Sequence, residues 1–273
     1  MSVINEMLSY PFMFRAIIAG TLVALCAALL GVSLVLKRFS MIGDGLSHVG
    51  FGALALATAI NMAPLQITIP IVVVAAFLLL RVSESHKIKG DAAIAMISTA
   101  SLAIGVTILS VSTGMNTDVC NYLFGTILGL SISDFYLSVV LSIVVVIIYI
   151  IFYNRIFLIT FDENFAKAVG TNVSAYNMVL ALLTALTIVL GMRTMGSLLI
   201  SSLIIFPALT AMRLFKRFKD VIIVSAIVSI SCFFVGMLIS YIYATPTGAS
   251  IALVNIALFL IFSLIARGKK YLR

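Results

Sequence analysis

Between its charged residues the chain runs without any Asp, Glu, Lys or Arg through 16–36, 45–80, 92–117, 135–154, 168–192, 194–212 and 221–266. A helix needs about 20 apolar residues to cross the hydrocarbon core of a bilayer. No water is present there to satisfy open backbone groups, so such stretches point to membrane-spanning helices. The stretches 45–80 and 221–266 are long enough for two passes each. Each holds a turn signal: Asn61-Met62-Ala63-Pro64 in the first and Thr245-Pro246-Thr247-Gly248 in the second. The expected fold is an all-α polytopic membrane protein with about nine transmembrane helices, eight being the alternative count. Segment 119–133 is too short and too rich in Gly and Ser to cross, and is expected at most to dip into the interface. Charged residues make up 10% of the chain, against about 25% in soluble domains, so a soluble protein is excluded.

Charge also sets the orientation. With nine spans, fifteen of the 17 Lys and Arg residues fall in loops on one side, and only Arg15 and Arg193 on the other. The positive-inside rule then places the N-terminus outside and the C-terminus in the cytoplasm. The net charge of +8 is this bias and calls for no nucleic-acid partner. Residues 1–15 carry Glu6 and no basic leader, which is unlike a cleavable signal peptide.

Several chemistries are unsupported. No loop has room for a nucleotide-binding domain, and there is no G-x-x-x-x-G-K-[ST] segment to cradle ATP phosphates. Gly43, Gly45, Gly50 and Gly52 miss the dinucleotide register because His48 stands at the third glycine position. They read instead as small residues that let membrane helices approach closely. Cys26, Cys120 and Cys232 lie more than 90 residues apart, without a CxxC pair, and read as apolar packing residues.

Two segments carry more information. At the start of the second span, Asp44 and His48 are four residues apart and share one helix face. Ionisable groups inside a span are costly and point by default to function. This pair suits an internal hydrogen bond, a proton relay or half of a divalent-cation site. A capping Asp44 and a packing His48 would give the same spacing. Ser47 lies about 100° away around the helix, which argues against a Ser–His dyad. A divalent metal usually takes four or more ligands, so a metal pathway would need two copies of the pair across a two-fold axis.

The second segment is Phe161-Asp162-Glu163-Asn164-Phe165-Ala166-Lys167-Ala168-Val169-Gly170. Asp162 is placed to cap a short helix that Lys167 and Gly170 would end. Phe161, Phe165 and Ala168 fall on one face, suited to docking or to lying on the bilayer.

The run Asp44-Gly45-Leu46-Ser47-His48-Val49-Gly50 resembles the second-helix motif of the permease family of zinc/manganese/iron ABC importers. Further segments look like that family, in order along the chain. They are Gly90-Asp91-Ala92-Ala93-Ile94, Asn121-Tyr122-Leu123-Phe124-Gly125-Thr126-Ile127-Leu128, the segment from Asp162 to Val173, Gly196 to Ala208, and Pro246-Thr247-Gly248-Ala249. One departure is Ser201-Ser202-Leu203-Ile204-Ile205-Phe206-Pro207, where Ala-rich sequence is frequent in the family.

The resemblance implies a single transmembrane permease domain over 1–273, similar in fold to cobalamin and iron-siderophore importer permeases. It implies a multi-pass protein of the bacterial plasma membrane, acting as a homodimer with two cytoplasmic ATPase subunits and an extracellular metal-binding protein. Asp44 and His48 match the family's metal-pathway pair. Segment 162–170 matches its coupling helix, with Asp162, Glu163, Phe165, Ala166 and Gly170 as expected ATPase-coupling residues. No cofactor is expected to be bound permanently; Zn2+ or Mn2+, or Fe2+, would be cargo. An ion-coupled secondary metal transporter is the alternative, but Asp44 is the one acidic residue clearly inside a span, and no half-to-half repeat is evident. An intramembrane hydrolase lacks H-E-x-x-H, paired aspartates and a Ser–His arrangement.

Overall fold

A computed structural model describes residues 7, 9–83, 90–112, 125 and 131–271. Among them the chain is helical: α1 (Pro11–Leu36), α2 (Ser40–Ala59), α3 (Pro64–Ser83), α4 (Gly90–Ser112), α5 (Ile132–Ile151), α6 (Tyr153–Phe161), α7 (Glu163–Ala168), α8 (Val173–Met195), α9 (Ser197–Leu214), α10 (Phe218–Tyr243) and α11 (Thr247–Tyr271). Most of the expected outer loop 112–133 lies outside the described residues, as do Lys87, Lys89 and Cys120.

The turns expected inside the two long stretches are present. At the end of α2, Asn61 adopts φ 53°, with Asn61 N–H donating to Thr58 O at 3.1 Å and Met62 N–H to Ala57 O at 3.0 Å. Asn tolerates this left-handed position, and Pro64 then starts α3. Between α10 and α11 the same role falls to Ala244, at φ 50°.

α1 is the central post. Two-thirds of its most apolar stretch is buried, against 22% for α4, α5 and α11 at the periphery. It packs against α5, α8, α9 and α10. Some hydroxyls inside the bundle are satisfied within their own helix or by a neighbour: Thr184 Oγ1 donates to Leu180 O at 2.7 Å, and Ser229 Oγ of α10 to Ala24 O of α1 at 2.9 Å.

Seven of the described helices are long and apolar enough to span a membrane: α1, α3, α4, α5, α8, α10 and α11. Against the expected nine, these seven leave out α2 and α9, helices of 20 and 18 residues. Glycine, serine and the Asp44–His48 pair lower the hydropathy of α2. α9 runs over 18 residues, Ser197–Leu214. Both are enclosed by other helices: α2 by α3, α4, α8 and α9, and α9 by α1, α2, α8, α10 and α11. A helix that faces protein on most sides does not need an apolar surface all round.

The glycines of α2 set its spacing. A Cβ at Gly45 would stand 2.7 Å from Ile94 Cγ2, and one at Gly52 would stand 2.8 Å from the Ser101 carbonyl, both on α4. The backbone carbonyl cannot swing aside. Gly52→Val is therefore expected to force α2 and α4 apart at an overpacking cost of about 1–3 kcal/mol. A lower melting temperature of the detergent-purified protein would show it; an unchanged one would mean the contact is slack.

Candidate functional site

α2 begins at Ser40, so Asp44 lies a full turn inside the helix and is not its cap. Its Oδ2 stands 3.8 Å from His48 Nε2, with 41% and 25% of the Asp44 and His48 side chains exposed. That is too long for a strong hydrogen bond and leaves both atoms open to a third party. His48 Nδ1 is enclosed and has no hydrogen-bond partner among the described residues. Nε2 is therefore the nitrogen available for coordination, and it faces the carboxylate. Ser47 Oγ instead donates to Asp44 O at 2.7 Å and accepts from Ser201 Oγ of α9 at 3.4 Å. The Ser–His dyad is absent.

Packing orients the pair. Gly45 and Gly52 turn toward α4, Gly50 toward Met192 of α8, and Gly43 toward Ile204 of α9. The Asp44–His48 stripe is left on the partly open side. Among the described residues, no group of three or more His, Cys, Asp or Glu could hold a metal ion. Asp44 and His48 therefore stand as a pair of potential ligands, with no third such residue grouped with them among the described residues.

Segment 162–170 folds as its local signals dictate. Asp162 Oδ1 accepts the Phe165 N–H at 2.9 Å, capping α7. Gly170 takes φ 77°, while its N–H donates to Lys167 O at 3.0 Å and the Thr171 N–H to Ala166 O at 2.9 Å. These paired bonds are a Schellman ending, which favours glycine at the left-handed position. Arg155 of α6 braces the exit, donating from Nη1 to Thr171 Oγ1 at 3.0 Å.

The expected coupling residues divide into two groups. Phe161 and Phe165 are exposed by 57% and 55%, and Ala168 is exposed on the same side. Phe157, also exposed, extends this aromatic surface, and the buried Phe218 packs against both Phe157 and Phe161, the three ring centroids lying 5.0–5.7 Å apart. Ala166, by contrast, is fully buried against Ile159 and Val173. Glu163 bonds through Oε1 to Lys37 Nζ at 2.6 Å while its side chain stays 41% exposed. Burial alone would raise the Glu163 carboxyl; the hydrogen bond and charge of Lys37, with Asn177 and Lys167 behind them, outweigh it and hold it below its ordinary value. Lys37, Arg155 and Asn177 escaped the sequence reading. Lys37 and Arg155 looked like ordinary positive-inside charges, and no local pattern marks partners that lie 16 residues from Arg155 and more than a hundred from Lys37.

Comparison with known proteins finds relatives along nearly the whole chain. The profile described as "ABC 3 transport family" matches residues 9–266. The manganese import system permease protein ScaB of Streptococcus gordonii is 29% identical over 97% of this chain and 95% of its own length. The high-affinity zinc uptake system membrane protein ZnuB of Haemophilus influenzae is 27% identical over 92% of this chain and 97% of its own. Among solved structures, PsaBC from Streptococcus pneumoniae in complex with Fab superimposes with a TM-score of 0.88, at 29% identity, covering 98% of this chain and 97% of that one.

Proposed function

The chain belongs to the ABC 3 transport family, and on that footing we propose that it carries divalent transition metal ions inward as the membrane permease of an ATP-driven importer. It is a transport subunit, with ATP hydrolysis on a separate ATPase. Mn2+, Zn2+ and Fe2+ are the cargo class, and the relatives' names divide between manganese and zinc. The observation that carries the reading is the half-open Asp44–His48 pair, held 3.8 Å apart on a glycine-packed helix. A second copy of the chain would complete four ligands, two carboxylates and two imidazoles, around a passing ion. This donor set suits both zinc and manganese. Phe161 and Phe165 present the surface for the ATPase, and an extracellular metal-binding protein delivers the ion to the opposite face.

The test is metal content in cells lacking the chain, under separate zinc and manganese limitation. Restoring the chain should restore accumulation of one metal, and only when the partner ATPase is hydrolysis-competent. Accumulation that persists with an inactive ATPase would favour the ion-coupled secondary transporter.

Topology offers an independent check. The fifteen-to-two distribution of Lys and Arg puts the α10–α11 turn outside and the C-terminal end of α11 in the cytoplasm. In intact cells an impermeant thiol reagent should label Thr247→Cys, and should label Lys269→Cys and Lys87→Cys only after lysis. The native Cys26 and Cys232 are buried; Cys120 falls in the expected outer loop and should itself be labelled from outside, so it is replaced by Ser in all three variants. Outside labelling at position 87 would overturn the orientation.

A further inference from the structure

Lys37 closes α1, and its side chain is only 4% exposed. A buried ammonium is retained only where its donors are matched, and here all three are. Nζ donates to Glu163 Oε1 of α7 at 2.6 Å, to Asn177 Oδ1 of α8 at 2.6 Å and to Ile159 O of α6 at 3.4 Å. Asn177 Nδ2 closes the ring by donating to the same Glu163 oxygen at 3.4 Å. The ammonium also lies 5.5 Å from the centroid of the Phe39 ring, at cation–π range. One charge thus ties together α1, α6, α7, α8 and the residue that leads into α2.

The link onward to α2 is short and stiff. Arg38 holds φ 61°, a left-handed conformation that non-glycine residues adopt only under constraint. Arg38 N–H donates to Val35 O at 3.1 Å and Phe39 N–H to Leu34 O at 2.8 Å. α2 starts at the next residue, Ser40, and Asp44 follows one turn later. A small apolar void lined by Leu34, Phe39, Ile42, Leu80, Asn177 and Leu180 lies beside the node.

We propose that Lys37 is the positioning residue through which displacement of the α7 docking helix reaches the Asp44–His48 pair. The inference rests on the permease reading and adds the route between the ATPase contact and the ion path. α7 cannot move without carrying the Glu163 carboxylate. Lys37 follows that carboxylate, and the Lys37–Arg38–Phe39 turn passes the shift to the start of α2. Lys37 need not touch the ion.

The test uses the assembled complex of the chain with its ATPase in lipid vesicles, with Mn2+ or Zn2+ supplied on the binding protein. Lys37→Met removes the buried charge at similar length and leaves Glu163, 41% exposed, free to hydrate. It should retain the ATPase and basal hydrolysis, lose stimulation by the loaded binding protein, and take up metal more than about tenfold slower. Lys37→Arg should recover a substantial part of both. On adding a non-hydrolysable ATP analogue, amide exchange over 37–46 should change in the wild type but not in Lys37→Met, while the response of 161–170 persists in both. Glu163→Gln, which removes charge and keeps shape, carries the same test should Lys37→Met fail to fold in the membrane. Wild-type stimulation in Lys37→Met, or equal exchange responses over 37–46, would overturn the proposal. So would loss of the ATPase itself, which would make the node a mere support for α7. The exchange readout needs no cargo, so a wild-type complex that moves neither metal would count against the metal assignment alone.

Discussion

Asp44→Asn and His48→Leu are each expected to reduce metal uptake at least about tenfold, since loss of even a group behind a metal ligand costs about 10–100-fold in affinity. The asparagine keeps the shape of the carboxyl and removes its charge. The leucine keeps the bulk of the imidazole and removes its nitrogens. Neither side chain supports the fold to a comparable degree. Their mutual distance is 3.8 Å, both are partly exposed, and α2 is held by its glycine contacts with α4, α8 and α9. Expression and ATPase association should therefore be normal. The two substitutions should not add if both residues serve one ion. Measuring uptake of Mn2+ and Zn2+ in whole cells, with permease abundance read by immunoblot, decides the matter. Full uptake in both variants would leave the pair without a role in transport.

The second large effect is expected at the docking surface. Phe161→Ala with Phe165→Asp should release the ATPase from the purified membrane complex. Two truncated aromatic anchors at roughly 2 kcal/mol each weaken association by about a thousandfold. The fold should survive, because both rings are more than half exposed and α7 keeps its Asp162 cap and its Gly170 ending. Glu163 is a poor residue for this purpose, since its replacement would also break the bond to Lys37. Co-purification of ATPase with the tagged permease is the readout. Full retention of the ATPase, with normal transport, would assign this face to the bilayer surface instead.

The two sites differ in how much of them was legible in the chain. Membrane helices, their turns and α7 follow from local rules: uninterrupted apolar length, Asn and Pro at helix ends, an Asp cap three residues before the N–H it accepts, and Gly at the left-handed exit. The Asp44–His48 juxtaposition is equally local, because residues four apart meet on any α-helix. Those features needed no knowledge of the rest of the molecule.

Other properties depend on which surfaces meet. That α2 sits within the bundle despite modest hydropathy could not be read from its own composition, because burial is decided by the neighbours that cover it. The inward turn of Ala166 depends on Ile159 and Val173 closing over it. Lys37 shows the limit most clearly. In the chain it is one of 17 basic residues; in the fold it is a buried cation bonded to Glu163, 126 residues away. Sequence periodicity and capping reach only about one helical turn. An ion pair between distant segments exists only after packing has excluded water and brought its partners together, so the tertiary structure alone selects it.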